Sequence, residues 1–134
     1  MLGEKIGEDS GKITGQRVLP STGAGPRVET SFTAQGTLLG VANVNMGTYE
    51  ATMRADGTLI GEGQGIVMGK DGSSATWRGQ GVGTMKADGS IAYRGAVYYT
   101  SASPKFTRLN SVAVVYEHDV DAAGNSTGKV YEWK

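Results

Sequence analysis

Two stretches of this chain are nearly the same: Met53-Arg54-Ala55-Asp56-Gly57-Thr58-Leu59 and Met85-Lys86-Ala87-Asp88-Gly89-Ser90-Ile91. A third turn of the same kind, Gly69-Lys70-Asp71-Gly72, lies between them. Asp-Gly flanked by alternating apolar residues is the strongest short-range hairpin signal, because glycine accepts φ > 0 and aspartate tolerates it. Three such turns with strand-like segments between them predict an antiparallel meander. Two copies of the longer motif are too few for a propeller or a solenoid and reflect shared turn chemistry.

The rest of the chain reads in the same rhythm. Gly11 to Leu19 alternates and ends at a loop, Pro20-Ser21-Thr22-Gly23-Ala24-Gly25-Pro26. Arg27 to Ala34 alternates with Val28, Thr30, Phe32 and Ala34 on one side. Turns are expected near Gln35-Gly36 and near Asn45-Met46-Gly47. The hairpin strands follow as Thr58 to Met68, Ser73 to Lys86 and Ser90 to Thr100. Ser103 before Pro104 reads as a helix N-cap with proline at the first helical position, so one short helical turn is expected near residues 103–109. Ser111 to Val120 and Gly128 to Lys134 complete eight or nine strands. Short sequential turns favour an up-and-down arrangement, and closure alone removes exposed sheet edges. The expectation is an all-β, closed or nearly closed antiparallel up-and-down barrel, one domain over 1–134. Residues 1–10 are expected to form an N-terminal arm, flexible or engaged at an interface.

Composition narrows the function classes. Lys+Arg 13 balance Asp+Glu 13, which gives no electrostatic case for nucleic acid or an anionic membrane surface. There is no cysteine, hence no disulfide framework and no thiolate metal site. No stretch approaches the roughly 18 apolar residues of a membrane span, and the start lacks a signal-peptide pattern. A cytoplasmic protein with no cofactor and no metal is the expectation. Glycine, 22 of 134 residues, is about twice its usual share, as suits a tightly curved sheet.

Alternation splits two strands by side. Leu59, Gly61, Gly63, Gly65 and Val67 share one face, and Ala75, Trp77, Gly79, Gly81, Gly83 and Met85 share the matching face of the next strand. The Asp71-Gly72 turn sets Glu62 opposite Gln80 and Gln64 opposite Arg78, with Glu62 and Arg78 diagonal neighbours. The next hairpin puts Arg94 near Val82 and Tyr98 near Arg78, and Glu50 joins from the strand before. Two readings follow. In one, the glycine face lines the interior, where Trp77 or Tyr99 fills the space, and the charged ladder is a solvated outer face. In the other, the ladder lines a polar cavity. Glu62, Gln64, Arg78, Gln80, Arg94 and Tyr98 are then the ligand-binding residues, with Glu62 and Arg78 the pair for any catalysis.

Other chemistry is sparse. Gly61 to Gly65 and Gly79 to Gly83 lack dinucleotide spacing and a following helix, so a phosphate-loop reading fails. The one histidine, His118, is too little imidazole for a metal site and shows no orienting partner in sequence. No Gly-x-Ser-x-Gly elbow supports acyl transfer. Tyr93, Tyr98, Tyr99, Tyr116, Tyr131 and Trp133 read as barrel core and interface, or as an aromatic pocket with Tyr98 and Arg78 as its polar contacts.

From Gly36 to Asn110 the runs Gly57-Thr58-Leu59-Ile60-Gly61, Gly61-Glu62-Gly63-Gln64-Gly65, Trp77-Arg78-Gly79-Gln80-Gly81, Tyr93-Arg94-Gly95 and Leu109-Asn110 resemble small proteins of the allene oxide cyclase-like barrel group. The resemblance implies an eight-stranded, often oligomeric barrel with an apolar cavity. The plant cyclase's catalytic residues do not match this chain one by one, so that activity is not carried over. The expected function is binding of a small, largely apolar molecule by a self-associating barrel. The alternatives are a cofactor-independent cyclase or isomerase, and a structural or assembly module without a ligand.

Overall fold

Five of the seven connections between strands are turns of two to five residues, which leave those consecutive strands no choice but to lie side by side. In the computed structural model, which describes residues 2–134, the strands are β1 (Leu2–Leu19), β2 (Arg27–Leu38), β3 (Val41–Met53), β4 (Leu59–Gly69), β5 (Ser74–Met85), β6 (Ile91–Thr100), β7 (Val114–Val120) and β8 (Asn125–Trp133). Each pairs antiparallel with the next, and β8 returns to β1 to close the barrel. β1 also pairs with β2 as far as Leu19↔Arg27, well past its last pairing with β8 at Lys12↔Asn125. Its register against β2 shifts between Ile13 and Gly15, a bulge. Residues 2–10, expected as an N-terminal arm, are the first half of β1, paired to β8 from Leu2↔Trp133; residue 1 lies outside the described residues.

Four hairpins share one backbone, β3–β4, β5–β6 and β7–β8 at one rim and β4–β5 at the other. Arg54 N–H donates to Thr58 O at 2.8 Å and Gly57 N–H to Arg54 O at 2.9 Å, and the pattern recurs at Gly69–Ser73, Lys86–Ser90 and Asp121–Asn125. In each, the glycine alone takes positive φ: 86° at Gly57, 89° at Gly72, 87° at Gly89 and 87° at Gly124. This is a turn followed by a left-handed glycine bulge. The aspartates therefore contribute through their side chains, not through φ > 0. Asp56 accepts from Thr58 N–H at 3.0 Å, Asp71 from Ser73 N–H at 2.9 Å and Asp88 from Ser90 N–H at 2.9 Å.

Two expected turns are mid-strand instead. Gly36 lies within β2 and Gly47 within β3, and the chain reverses at Leu39-Gly40, with φ of 48° and 78°. Glycine is needed at both positions for close approach. A Cβ on Gly36 would lie 2.6 Å from Asp9 Cα, and one on Gly47 would lie 2.7 Å from the Phe32 ring. The helical turn is a 3-10 helix, Thr107–Ser111, preceded by a tight turn in which Phe106 N–H donates to Ser103 O. Ser103 Oγ does not cap it; that oxygen accepts from Ser74 N–H at 2.9 Å.

This β6–β7 connection plugs one end of the barrel. Phe106 and Leu109 are fully buried against Leu38, Val41, Val67, Val97, Tyr99 and Val114. Burying two such side chains stabilises the plug by about 2 kcal/mol each. Further along the lumen, the Trp77 indole lies where a Cβ on Gly65 or Gly47 would be. Gly65→Ala is expected to lower stability by about 2 kcal/mol through overpacking. Gly15→Ala, with nothing within 4 Å of its Cβ, should change it by less than about 0.5 kcal/mol. Urea-denaturation midpoints of the two variants test this, and equal effects would refute the packing role.

Candidate functional site

The sequence-derived register holds at Glu62↔Gln80, Gln64↔Arg78, Arg78↔Tyr98 and Val82↔Arg94, and Glu50 joins the ladder opposite Glu62. The faces are settled by what the glycines meet. A Cβ on Gly65 would strike the Trp77 indole, one on Gly81 the Tyr116 hydroxyl, and one on Gly83 would lie 2.7 Å from the Tyr93 ring. The glycine face is the inner face. Rings from neighbouring strands lie flat on the wall where inward side chains are missing.

The charged ladder is outside. Glu62, Gln64, Arg78, Gln80 and Arg94 are exposed, and Tyr98 retains 58% of its accessible surface. These residues do not line the lumen, because strand alternation that turns Trp77 and the glycines inward turns them outward. Arg94 pairs with Asp119 at 2.7 Å and approaches Glu117 at 4.0 Å, bonds of small energetic weight at this exposure. Gln80 donates weakly to Glu62 at 3.4 Å. Glu62, Gln64, Arg78, Gln80 and Tyr98 do come together around a shallow outer groove with Glu29, Thr48 and Glu50; Arg94 stands apart.

Inside, a cavity of about 110 Å³ is lined by Phe32, Tyr49, Trp77, Tyr93, Tyr99 and Tyr116, with aliphatic walls from Leu38, Val67, Val97 and Val130. Its polar side chains come from Asp9, Asn43, Asn45 and His118. Trp77 Nε1–H donates to Asn45 Oδ1 at 2.8 Å, and Asn45 Nδ2 donates to Asp9 Oδ2 at 3.1 Å. This relay leaves Asp9 Oδ1 leaning over Gly128, 2.6 Å from where a Cβ would sit. Burial pushes the Asp9 carboxyl above its usual range, and the Asn45 hydrogen bond opposes the shift.

His118 stands on the other side of Gly128. Gly128 pairs with His118 on β7 and with Asp9 on β1, so the two polar side chains flank a bare strand position. The imidazole packs among Phe32, Tyr49 and Tyr93, with centroids 5.0, 5.5 and 6.1 Å away. Its Nε2 is buried with no hydrogen-bond partner. Burial lowers its pKa to about 4, against a smaller opposing effect of Asp119, so the ring is neutral at pH 7. Burial likewise pushes Tyr93 up to about 12 and raises Tyr49 and Tyr99. The chamber favours uncharged groups.

Sequence reasoning singled out His118 but saw no pocket for it, and it missed Asp9 and Asn45. A signal existed: in Gly7-Glu8-Asp9-Ser10-Gly11, Asp9 shares the glycine phase that the β4 and β5 pattern marks as inward. Among the described residues, no group of three or more His, Asp or Glu side chains is placed to hold a metal ion. No described helix is long and apolar enough to cross a membrane.

Comparison with known proteins places the fold only. No protein-family model matches the chain, and no curated protein matches it. Among solved structures it is similar to a β-barrel-like protein from Acinetobacter baumannii, with a TM-score of 0.84 at 14% identity, covering 100% of this chain and 96% of that one. It is also similar to a conserved protein of unknown function from Rhodopseudomonas palustris, TM-score 0.83 at 13% identity, covering 98% and 97%. An enzyme from Penicillium herquei matches with a TM-score of 0.68 at 15% identity over 96% and 92%. The allene oxide cyclase-like resemblance thus stands at the level of a small antiparallel barrel.

The neutral imidazole gives a pH test. His118 titrates near 4 folded and near 6.5 unfolded, so between these values the unfolded chain binds the extra proton. Its linked stability is full above about pH 6.5 and is lost as pH falls toward 4, by about 3 kcal/mol in all. Asp9, shifted upward, acts in the opposite sense at the acid end, so the comparison is with a variant. His118→Phe should flatten the acid side of the stability–pH curve by that amount, read from urea midpoints between pH 4 and 7. Parallel curves would show that His118 is not buried neutral.

Proposed function

We propose that the barrel binds a small, largely apolar molecule in its lumen. The observation that carries this is the cavity itself: ring faces on its walls, His118 among them, and an Asp9 carboxyl that Asn45 engages through one oxygen only. Apolar chambers with a few placed polar groups are the usual form of a small-molecule site. Eight strands give a lumen about wide enough for one such ligand. Any isomerase- or cyclase-type chemistry in the chamber would run through Asp9 and His118, since Glu62 and Arg78 stand outside the wall.

Gly79 offers a clean control. A Cβ there meets nothing closer than 3.1 Å, so a larger side chain enters the cavity instead of a neighbouring ring. The neutral two-ring fluorophore 1-naphthylamine should shift its emission to the blue on binding and, at a hundredfold excess over Kd, stabilise the fold by about 2.7 kcal/mol. Gly79→Leu should abolish both effects while keeping the fold, and Arg78→Gln should leave them unchanged. Dye binding that survives Gly79→Leu would move the site out of the lumen.

The outer ladder supports a second reading, self-association. Of the ten exposed large hydrophobic side chains among the described residues, six, Met46, Ile60, Ile66, Met68, Val82 and Tyr98, lie on the outer face of β3–β6. Such clustering marks an interaction surface. Between them, Glu62 and Arg78 are in no ion pair among the described residues, although Arg27 holds Glu50 at 3.0 Å and Arg17 holds Glu29 at 3.2 Å. A two-fold axis along the Gln64–Gln80 diagonal would set each copy's Glu62 against the other's Arg78, a self-complementary contact. Light scattering should find a dimer that Arg78→Glu dissociates and Glu62→Arg with Arg78→Glu restores. A wild-type monomer, or a double variant no better than the single one, would refute it.

A further inference from the structure

We infer that the lumenal molecule is an uncharged, flat aromatic whose hydroxyl donates to Asp9 Oδ1 while its ring lies over Gly128 toward His118. This rests on the lumen being a binding chamber, and it adds the chemical class.

Donors, acceptors and charge in the chamber decide the class. By alternation, Asp9 is the one charged side chain that faces the cavity; Glu8, Glu62, Glu117 and Lys129 border it from outward-facing positions. No lysine or arginine side chain among the described residues turns inward there. A carboxylate or phosphate ligand would therefore sit beside Asp9 with no compensating cation in a ring-lined space. An ammonium brings three donors and a tightly held hydration shell. Beside Asp9 one carboxyl oxygen already accepts from Asn45, and Asn45 Oδ1 already accepts from Trp77, so Asp9 Oδ1 alone is left to meet three donors.

A hydroxyl matches what is left open. Asp9 Oδ2 accepts from Asn45 at 3.1 Å, whereas Oδ1 leans over the bare Gly128 position. His118 presents ring surface only, its Nε2 being sealed among Phe32, Tyr49 and Tyr93. Asp9 and His118 flank one glycine, each a strand away, so they stand about 10 Å apart at the backbone. That separation suits one or two fused rings. The cavity of about 110 Å³ holds on the order of eight waters, again the scale of one or two rings. Tyr49, Tyr93, Trp77 and Phe32 present the faces and edges that stack on such rings.

The test uses four probes of one size: 2-naphthol, naphthalene, 2-naphthoate and 2-naphthylmethylammonium. Quenching of Trp77 is read in a Trp133→Phe background, which leaves one tryptophan. At pH 7, 2-naphthol is expected to bind at least tenfold more tightly than each of the other three. Asp9→Ala and Gly128→Ala, the latter displacing Asp9 Oδ1, are each expected to erase most of that preference. Thermal melts confirm that each variant is folded, and because the two act on Oδ1 differently, one folded variant suffices. Equal binding of naphthol and naphthalene, or tighter binding of the anion or the cation, would overturn the class while leaving the chamber intact. If 1-naphthylamine and all four probes fail to bind, the chamber reading falls and the class with it.

Discussion

A closed sheet of eight strands has an interior about as wide as the side chains that must fill it, and here the fit depends on rings lying against bare backbone. Trp77 occupies the space left by Gly65 and Gly47, Tyr93 that left by Gly83, and the Tyr116 hydroxyl that above Gly81. Neither partner works alone. An inward glycine without a ring leaves a void, and a ring without the glycine has nowhere to lie. This exchange of Cβ atoms for ring faces sets the curvature of the β4–β5 wall and the width of the chamber. It also decides which polar groups are left looking into the chamber.

The polar groups inside are linked on one side and isolated on the other. Trp77, Asn45 and Asp9 form a chain that fixes the carboxyl, and Gln16 Nε2 donates to Thr30 at 3.3 Å nearer the open end. His118 belongs to no chain. A buried nitrogen without a partner costs about 1–3 kcal/mol, and Phe32, Tyr49 and Tyr93 pack tightly enough around it to hold it there. On the outer surface the pattern is reversed. Other sectors pair charges locally, through Lys5–Glu8, Arg17–Glu29 and Arg94–Asp119, whereas on β4–β5 Glu62 and Arg78 stand beside exposed apolar side chains.

How much of this was legible in the sequence follows from range. The Asp-Gly turns act over five residues, so strand order, register and the composition of each face of β4 and β5 could be read locally. Gly36 and Gly47 misled because a glycine looks the same whether it serves a reversal or a close approach. What decides is Asp9 on the neighbouring strand in one case and Phe32 with Trp77 in the other. The reversal itself fell on Leu39, a residue with no preference for φ of 48°. It packs against the plugged end of the core, and its N–H donates to Ile6 O. Asp9 and His118 acquire meaning only when Gly128 brings β7 and β1 together, a contact between the two ends of the chain that no short window contains.

Inside and outside are a matter of phase along each strand, and the bulge between Ile13 and Gly15 shows that phase can be changed. Before it, the odd-numbered residues Asp9, Gly11 and Ile13 share the inner phase of β1; after it, the pairings Gln16↔Thr30 and Val18↔Val28 hand that phase to the even ones. One inserted residue thus rewrites which half of the following segment addresses the chamber. The cost is small at this place, because β1 has by then left β8 and Val18 lies 82% exposed beyond the closed part of the barrel. The same insertion in β4 or β5 would carry Glu62 and Arg78 into the lumen and Trp77 into water. Single-residue length changes thus fall at the two ends of β1, where it pairs with one neighbour only, between Ile13 and Gly15 against β2 and between Leu2 and Gly7 against β8, and the other strand pairs run without a shift.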